Sequence, residues 1–316
     1  MDIVFMGTPD FALPTLDAIH DSGYTLRAVV TQPDRPRGRG QKLAYSPVKK
    51  WAERKGVLVL QPRKARDASF IEELAGLAPD LVVTAAYGQL LPKAVLDIPP
   101  KGCINVHASL LPCYRGAAPI QQAILDGCER TGVTIMYMDE EMDTGDILLQ
   151  KALDIGENMT CDELHDALAA LGGECIAEIL PAFEKGKPEG TPQANVEASY
   201  CGKITKDMGM IDWREAADCI RRRICALTPW PGTYTMVEGE RLKVLAAEPI
   251  GDAPKNVRPG DVYIFDEKDG VRVKCGDGAL RLTRVQAPGK RPMADTEYVN
   301  GCRLRIARFE MPEGEE

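Results

Sequence analysis

The sequence predicts an α/β protein: a doubly wound, mainly parallel sheet, followed by a small β-barrel domain. Three observations carry this reading. Four strand-plus-helix repeats fall within about 110 residues of the first half, as expected of a sheet with helices on both faces. The stretch 186–206, with Pro188, Gly190, Pro192 and Gly202, then breaks the pattern. Beyond it, short alternating runs are separated by turns such as EGE, DEKDG and CGDG. The expected division of the 316 residues is a first domain over 1–188, a linker over 189–206 and a second domain over 207–316.

Residues 2–6 (DIVFM) read as a buried first strand. Gly7-Thr8-Pro9-Asp10 turns the chain, and Thr8 is expected to cap a helix. That helix has Phe11, Leu13, Leu16 and Ile19 as its apolar face and stops at Gly23. This strand–glycine–helix opening is Rossmann-like. One glycine is not GxGxxG, however, so a plain tight turn fits better than a dinucleotide site. Leu26 to Thr31 form a second strand, and Ser46 caps a helix through Val48, Trp51 and Lys55. Strands over 57–60 and 80–85 bracket a helix over 67–76. Further on, 103–107 is a strand end, 119–126 a helix and 132–138 a strand. A long helix over 161–185, interrupted before Pro181, carries His165 on its surface beside Asp162, Glu163 and Asp166. In the second domain a helix over 212–226 ends at Thr228-Pro229-Trp230-Pro231-Gly232. The runs 234–237, 241–246, 261–265, 270–274 and 279–285 suit a small barrel of the OB type, which commonly holds nucleic acid on one face.

Composition excludes several classes. Hydrophobic residues make up 44% and charged residues 27%, an ordinary globular balance. No run of 18 apolar residues occurs, so no membrane span or membrane partner is expected. The N-terminus carries Asp2 where a signal peptide carries positive charge, which points to the cytoplasm. The cysteines are scattered without a CxxC, and the histidines are His20, His107 and His165. Buried reduced thiols are therefore expected, and no metal. The net charge of −8 hides a split, −9 over residues 1–200 and +1 over 201–316. A polyanion would have to meet local basic patches. QPDRPRGRGQKL at 32–43 is one. Arg35, Arg37, Arg39 and Lys42 stand there against one acid, Asp34, and its prolines and glycines forbid a helix or central strand. It reads as a long cationic loop at a strand's carboxyl end, where open α/β sheets bind ligands, and suits a phosphate-bearing one.

The chemistry concentrates in Cys103 to Pro119, CINVHASLLPCYRGAAP. Alternation puts Asn105 and His107 on one face of a strand end, and both can donate to a developing negative charge. An Asn and His that merely satisfy each other in a core would be the bland account. So dense a cluster where a strand hands over to a loop favours chemistry. The loop 139–146 holds five carboxylates. Its spacing is not that of an EF-hand and no His lies near it in sequence. Two readings stay open beside a metal site: a solvated turn, or, with Gly145 allowing a tight bend, one carboxylate facing the Asn–His strand end, which two sheet strands ending at one crevice would allow.

Along essentially its whole length the sequence resembles the methionyl-tRNA formyltransferase family of folate-dependent formyltransferases. The matching pieces are VFMGTPDFA, TQPDRPRGRGQKL, SPVK, AYGQLLPKAVL, GCINVHASLLPCYRGAAPIQ, TGVTIMYMDEEMDTGDIL, IDW, TPWPGTY and CGDGALRLTRVQAPGK. NxHxSLLPxxRG with a downstream DTGD is shared by the superfamily, and the arginine loop and C-terminal domain narrow it. A sugar-nucleotide formyltransferase would not call for that loop. The resemblance implies transfer of the formyl group of 10-formyltetrahydrofolate to the α-amine of methionyl-initiator tRNA, without a metal and with nothing that demands more than a monomer. It places the catalytic positions on Asn105 (oxyanion donor), His107 (charge stabilisation and proton transfer) and Asp143 (support of His107). It implies folate contacts at Ser109, Leu110, Leu111 and Pro112, with Tyr87, Gly88, Leu90 and Asp139 walling the pterin pocket. Arg35, Arg37, Arg39 and Lys42 fall where the family meets the tRNA acceptor end. Two positions depart from the family pattern: Ala108 replaces the usual glycine and Cys113 the usual basic residue.

Overall fold

The structure, a computed structural model, describes residues 1–37, 42–302 and 306–312. It divides into two compact units. The first holds 1–119, 130–154 and 165–201. The second holds 120–129, 155–164 and 202–316.

In chain order the first part reads β1 (Asp2–Gly7), α1 (Leu13–Asp21), β2 (Thr25–Val30), β3 (Arg35–Arg37), β4 (Lys42–Ala44), α2 (Pro47–Lys55), β5 (Val59–Leu60) and α3 (Ala68–Gly76). There follow β6 (Leu81–Ala85), α4 (Lys93–Leu96), β7 (Cys103–His107), β8 (Arg115–Gly116), α5 (Pro119–Leu125), β9 (Arg130–Tyr137), β10 (Ile147–Asp154), α6 (Cys161–Ile179) and β11 (Tyr200–Cys201). A seven-stranded sheet runs in the order β10-β9-β7-β6-β1-β2-β5. Its strands from β7 to β5 are parallel, while β9 and β10 are antiparallel additions. β1 and β6 are buried almost throughout because helices cover both faces of the parallel part, which is why their sequences read as continuous apolar runs.

Three local expectations need correction. Thr8 caps no helix: a 3-10 turn (Asp10–Ala12) precedes α1. The Thr8 hydroxyl donates to the Tyr87 carbonyl (3.2 Å) and accepts the Gln32 N–H (3.3 Å), so it ties together the loops after β1, β2 and β6. The cationic stretch is not all loop, because β3 and β4 pair antiparallel as a ribbon apart from the main sheet. The helix expected from 212 starts at Ala217, since the Asp212 carboxylate accepts the Arg214 N–H (3.0 Å) and guanidinium (2.7 Å) and holds a turn there. Ser46 caps α2 as expected, accepting from the Lys49 N–H at 3.0 Å. β10 was not legible, because its mixed QKALD end carries no clean period.

The second unit contains α7 (Ala217–Leu227), β12 (Thr233–Val237), β13 (Glu240–Pro249), β14 (Val262–Asp266), β15 (Gly270–Lys274), β16 (Ala279–Gln286), β17 (Met293–Ala294) and α8 (Asp295–Gly301). The antiparallel sheet runs β12-β13-β16-β15-β14, with β17 on β16. Residues 308–310 bridge both edge strands, pairing Met236 with Glu310 and Asp261 with Arg308. These two single-residue bridges cover one point on β12 and the start of β14. Trp213 anchors the interior: it is fully buried, stacks on Phe309 at 5.5 Å and donates its indole N–H to Thr235 Oγ1 at 3.0 Å.

Among the described residues no cysteine is in a disulfide, and Cys103, Cys161, Cys175, Cys201, Cys225 and Cys275 are buried. Cys113 and Cys219 are exposed, against the expectation of uniformly buried thiols. Burial pushes the Cys103, Cys161 and Cys275 thiols up to about 12. At pH 8 only about 1 in 10,000 of such thiols is thiolate. A disulfide reagent at that pH is expected to label Cys113 and Cys219 first, and those three only after denaturant is added. Peptide mapping of the labelled protein checks this.

Candidate active site

The site begins where β7 ends. Its alternation places Cys103, Asn105 and His107 on one face. β6 lies parallel beside it, with Thr84 level with Asn105. The Thr84 hydroxyl approaches Asn105 Oδ1 at 2.6 Å. A hydroxyl donated to the amide oxygen leaves both Asn105 N–H donors free to meet a ligand.

His107 is buried, with Nε2 3.0 Å from the Tyr114 carbonyl oxygen. A carbonyl only accepts, so Nε2 carries a proton. Nδ1 faces Asp143 Oδ1 at 3.6 Å, too long for a hydrogen bond and near enough for a charge contact. The other Asp143 oxygen accepts the Gly116 N–H at 2.8 Å. The expected crevice between two strand ends is not how this pair forms. β9 is antiparallel to β7, and the Met138 N–H bonds to the Cys103 carbonyl, so the acidic turn starts beside the wrong end of β7. It reaches His107 by running back over the Asn–His face. Two backbone features permit that return. Asp143 adopts a left-handed conformation (φ +59°), and Gly145 lies so close to the Tyr137 carbonyl that a Cβ would collide with it.

The loop 108–116 closes the site from the other side. Thr134 pins it: its hydroxyl donates to the Ser109 carbonyl (2.6 Å) and accepts the Leu111 N–H (3.0 Å) and Gln150 Nε2 (2.9 Å). Gln150 Nε2 also lies 2.8 Å from the Leu111 carbonyl. Residues 193–201 strap the loop's far end. β11 pairs with β8, the Tyr114 N–H donates to Ser199 Oγ (2.8 Å), and Gln193 contacts Arg115 and the acidic turn. At Gly116 (φ +126°) a Cβ would meet the Cys201 carbonyl oxygen, so glycine is required.

The structure therefore brings Asn105, His107 and Asp143 together. It distributes the remaining expected residues unevenly. Ser109 and Leu111 are buried, and the Ser109 hydroxyl donates to the Cys113 carbonyl (2.6 Å), so both serve the loop's own shape. Leu110 and Pro112 retain open surface. Tyr87 is packed in an apolar cluster with Val4, Met6 and Leu91, and its carbonyl already takes Thr8 and Gln32. Gly88 and Leu90 are exposed. Asp139 accepts from Thr144 Oγ1 (2.7 Å) and the Glu141 N–H (3.1 Å), so it shapes its own turn. A recess of about 610 Å³ lies between Lys64, Arg66, Gln89, Leu90, Lys93 and Glu140. Asp34, the one acid of the cationic stretch, is spent on Lys49 (2.5 Å) and Gln61 (3.0 Å). Burial pushes the Asp34 carboxyl's pKa up, but the hydrogen bonds from Lys49 and Gln61 outweigh it and hold the group below the usual carboxylate range. Arg35 is exposed on β3 and Arg37 and Lys42 lie on the paired strands, while Arg39 lies outside the described residues. Ala108 is buried and Cys113 exposed.

Thr84, Arg115, Thr134, Gln150 and Gln193 were not singled out from sequence. Thr84 and Thr134 did leave a signal, as lone hydroxyls inside otherwise apolar strands (DLVVTAA, GVTIMYM). A buried hydroxyl needs a partner, and both use theirs to aim the site.

Fold and site together define an α/β group-transfer enzyme with a preset amide donor beside an imidazole–carboxylate pair. The formyl transferase family matches residues 1–180, and the formyl transferase C-terminal domain matches 203–303. The methionyl-tRNA formyltransferase of Caldanaerobacter subterraneus subsp. tengcongensis is 48% identical over 305 residues, which cover 95% of this chain and 97% of that one. That of Geobacillus thermodenitrificans is 46% identical, over 97% of this chain and 96% of its own. The chain belongs to the formyl transferase family, in its methionyl-tRNA formyltransferase branch. Among solved structures, WlaRD, a sugar 3N-formyl transferase, shares the fold with a TM-score of 0.68 at 17% identity, over 92% of this chain and 99% of that one. HypX from Aquifex aeolicus, in complex with tetrahydrofolic acid, gives 0.64 at 17% identity over 99% of this chain. The chain spans about half of HypX, 52%. At these identities the likeness concerns the fold alone.

Thr84→Val keeps the shape of the β6 side chain and removes the hydroxyl that aims Asn105. If Asn105 donates to the reaction's oxyanion, this is expected to lower kcat for formyl transfer roughly 10-fold with little change in KM. Steady-state kinetics of the purified variant checks this.

Proposed function

We propose that this chain transfers the formyl group of 10-formyltetrahydrofolate to the α-amine of methionyl-initiator tRNA, giving N-formylmethionyl-tRNA for translation initiation. The observation that carries it is the pairing of an oriented Asn105 amide with the His107–Asp143 contact, in a chain that matches methionyl-tRNA formyltransferases over nearly its whole length.

The amine nitrogen attacks the formyl carbon. A C–N bond forms and the carbonyl electron pair moves onto oxygen. Asn105 Nδ2–H donates to that oxyanion, a kind of contact whose loss costs roughly 100- to 1,000-fold in rate. His107 Nε2–H exchanges the Tyr114 carbonyl for the same oxygen, and Asp143 carries the countercharge when the ring is an imidazolium. Collapse breaks the bond to N10 of the folate. N10 takes up a proton and the attacking nitrogen gives one up, with His107 as the carrier. The folate lies along Leu110, Pro112 and Leu90, and its carboxylates meet Lys64 and Arg66 at the recess.

The β3–β4 ribbon meets the acceptor end of the tRNA. Asp34, the one acid in that stretch of sequence, is already paired with Lys49. Residues 202–316, which carry a net charge of +1, hold the tRNA backbone elsewhere.

The decisive test incubates the protein with 10-formyltetrahydrofolate and charged initiator tRNA, omitting each in turn. Formylmethionine that needs both supports the reading. Transfer to a sugar-nucleotide amine and none to tRNA would overturn it. Arg35→Ala with Arg37→Ala is expected to raise KM for the charged tRNA on the order of 10-fold, with a shallower salt dependence, and to leave KM for the folate nearly unchanged. Equal rises for both substrates in initial-rate assays would contradict the ribbon's role.

A further inference from the structure

We propose that Gln193 is a positioning residue for Asp143, so that the segment leaving the first unit forms part of the reaction's geometry. The proposal rests on the role given to Asp143 above. The Gln193 side chain is saturated. Its Nε2 donates to the Asp143 carbonyl (3.0 Å) and the Gly145 carbonyl (2.7 Å). Its Oε1 accepts from Arg115 Nε (3.1 Å) and a terminal guanidinium nitrogen (2.8 Å). Both amide protons and both oxygen lone pairs are used, so a flipped amide would lose all four bonds. One amide therefore grips Asp143 by two routes. The direct route fixes the backbone of a residue held in the left-handed region (φ +59°). The indirect route runs through Arg115, a buried guanidinium that also bonds to Asn195 Oδ1 (2.9 Å), to Gly116, whose N–H holds the Asp143 carboxylate (2.8 Å). The same strap reaches the other partner. Ser199 takes the Tyr114 N–H, and the Tyr114 carbonyl takes His107 Nε2.

The test compares Gln193→Leu, Asp143→Asn and the double variant in single-turnover formylation of charged initiator tRNA. Gln193→Leu is expected to slow transfer roughly 10- to 100-fold, the size of an ångström-scale misplacement, with both KM values little changed. In the Asp143→Asn background it should add almost nothing, because the group it positions is already lost. Fully multiplicative losses would overturn the proposal. Should Gln193→Leu fail to fold, Gln193→Glu keeps an acceptor for Arg115 but sets an oxygen against two carbonyls. It should lose rate likewise, and a wild-type rate would sink the idea. A second readout needs no activity. Amide exchange at Gly116 is expected to accelerate at least about 10-fold in Gln193→Leu and in Asp143→Asn alike. Unchanged protection in Gln193→Leu would overturn the proposal even if wild-type protein formylated no tRNA, a result that would instead remove the proposed function.

Discussion

The Asp143 carboxylate holds the site together. One oxygen faces His107 Nδ1 at 3.6 Å and the other takes the Gly116 N–H at 2.8 Å. It thus joins three pieces of chain: the end of β7, the loop that follows it and the turn after β9. None of these has reason to meet the others by strand order alone. The turn departs from the wrong end of the antiparallel strand and must fold back. A left-handed aspartate and a glycine with no room for a Cβ make the return possible.

The surrounding structure is consistent with that constraint. Thr134 and Gln150 fix the loop 108–116 from beneath, and residues 193–201 fix it from its far end. Thr8 ties the three loops after β1, β2 and β6 into one rim. Much of the polar chemistry near β7 is structural in this sense: buried hydroxyls and amides whose bonds leave few degrees of freedom to the reacting groups. In the proposed step, preorganisation of that kind would let a single amide and an imidazole stabilise charge without reorganising.

The architecture was largely legible from the sequence because it rests on periodicity. Buried parallel strands such as DLVVTAA and short alternating strands such as GVRVK announce themselves. Asn105 and His107 were legible as a dense motif, whereas the carboxylate-rich turn did not single out Asp143, which only the family resemblance named. The route by which the three approach was not legible, since the direction of β9 depends on a hydrogen-bond register that no local pattern encodes. Gln193 was invisible for a related reason. A lone glutamine between prolines, alanines and glycines reads as linker, and its four bonds exist only because the chain returns to the site. Thr8 misled because a threonine before a proline is a good cap signal, which a tertiary bond to Tyr87 overrode.

The central claim is that the Asp143 carboxylate acts on the chemical step and not on ligand binding. Rapid-mixing single-turnover transfer by Asp143→Asn measures it most directly, alongside fluorescence titrations of folate and charged tRNA. The account predicts transfer slowed at least about 100-fold, with both dissociation constants within roughly threefold of wild type. Near-normal transfer, or a loss that appears wholly in substrate affinity, would contradict it.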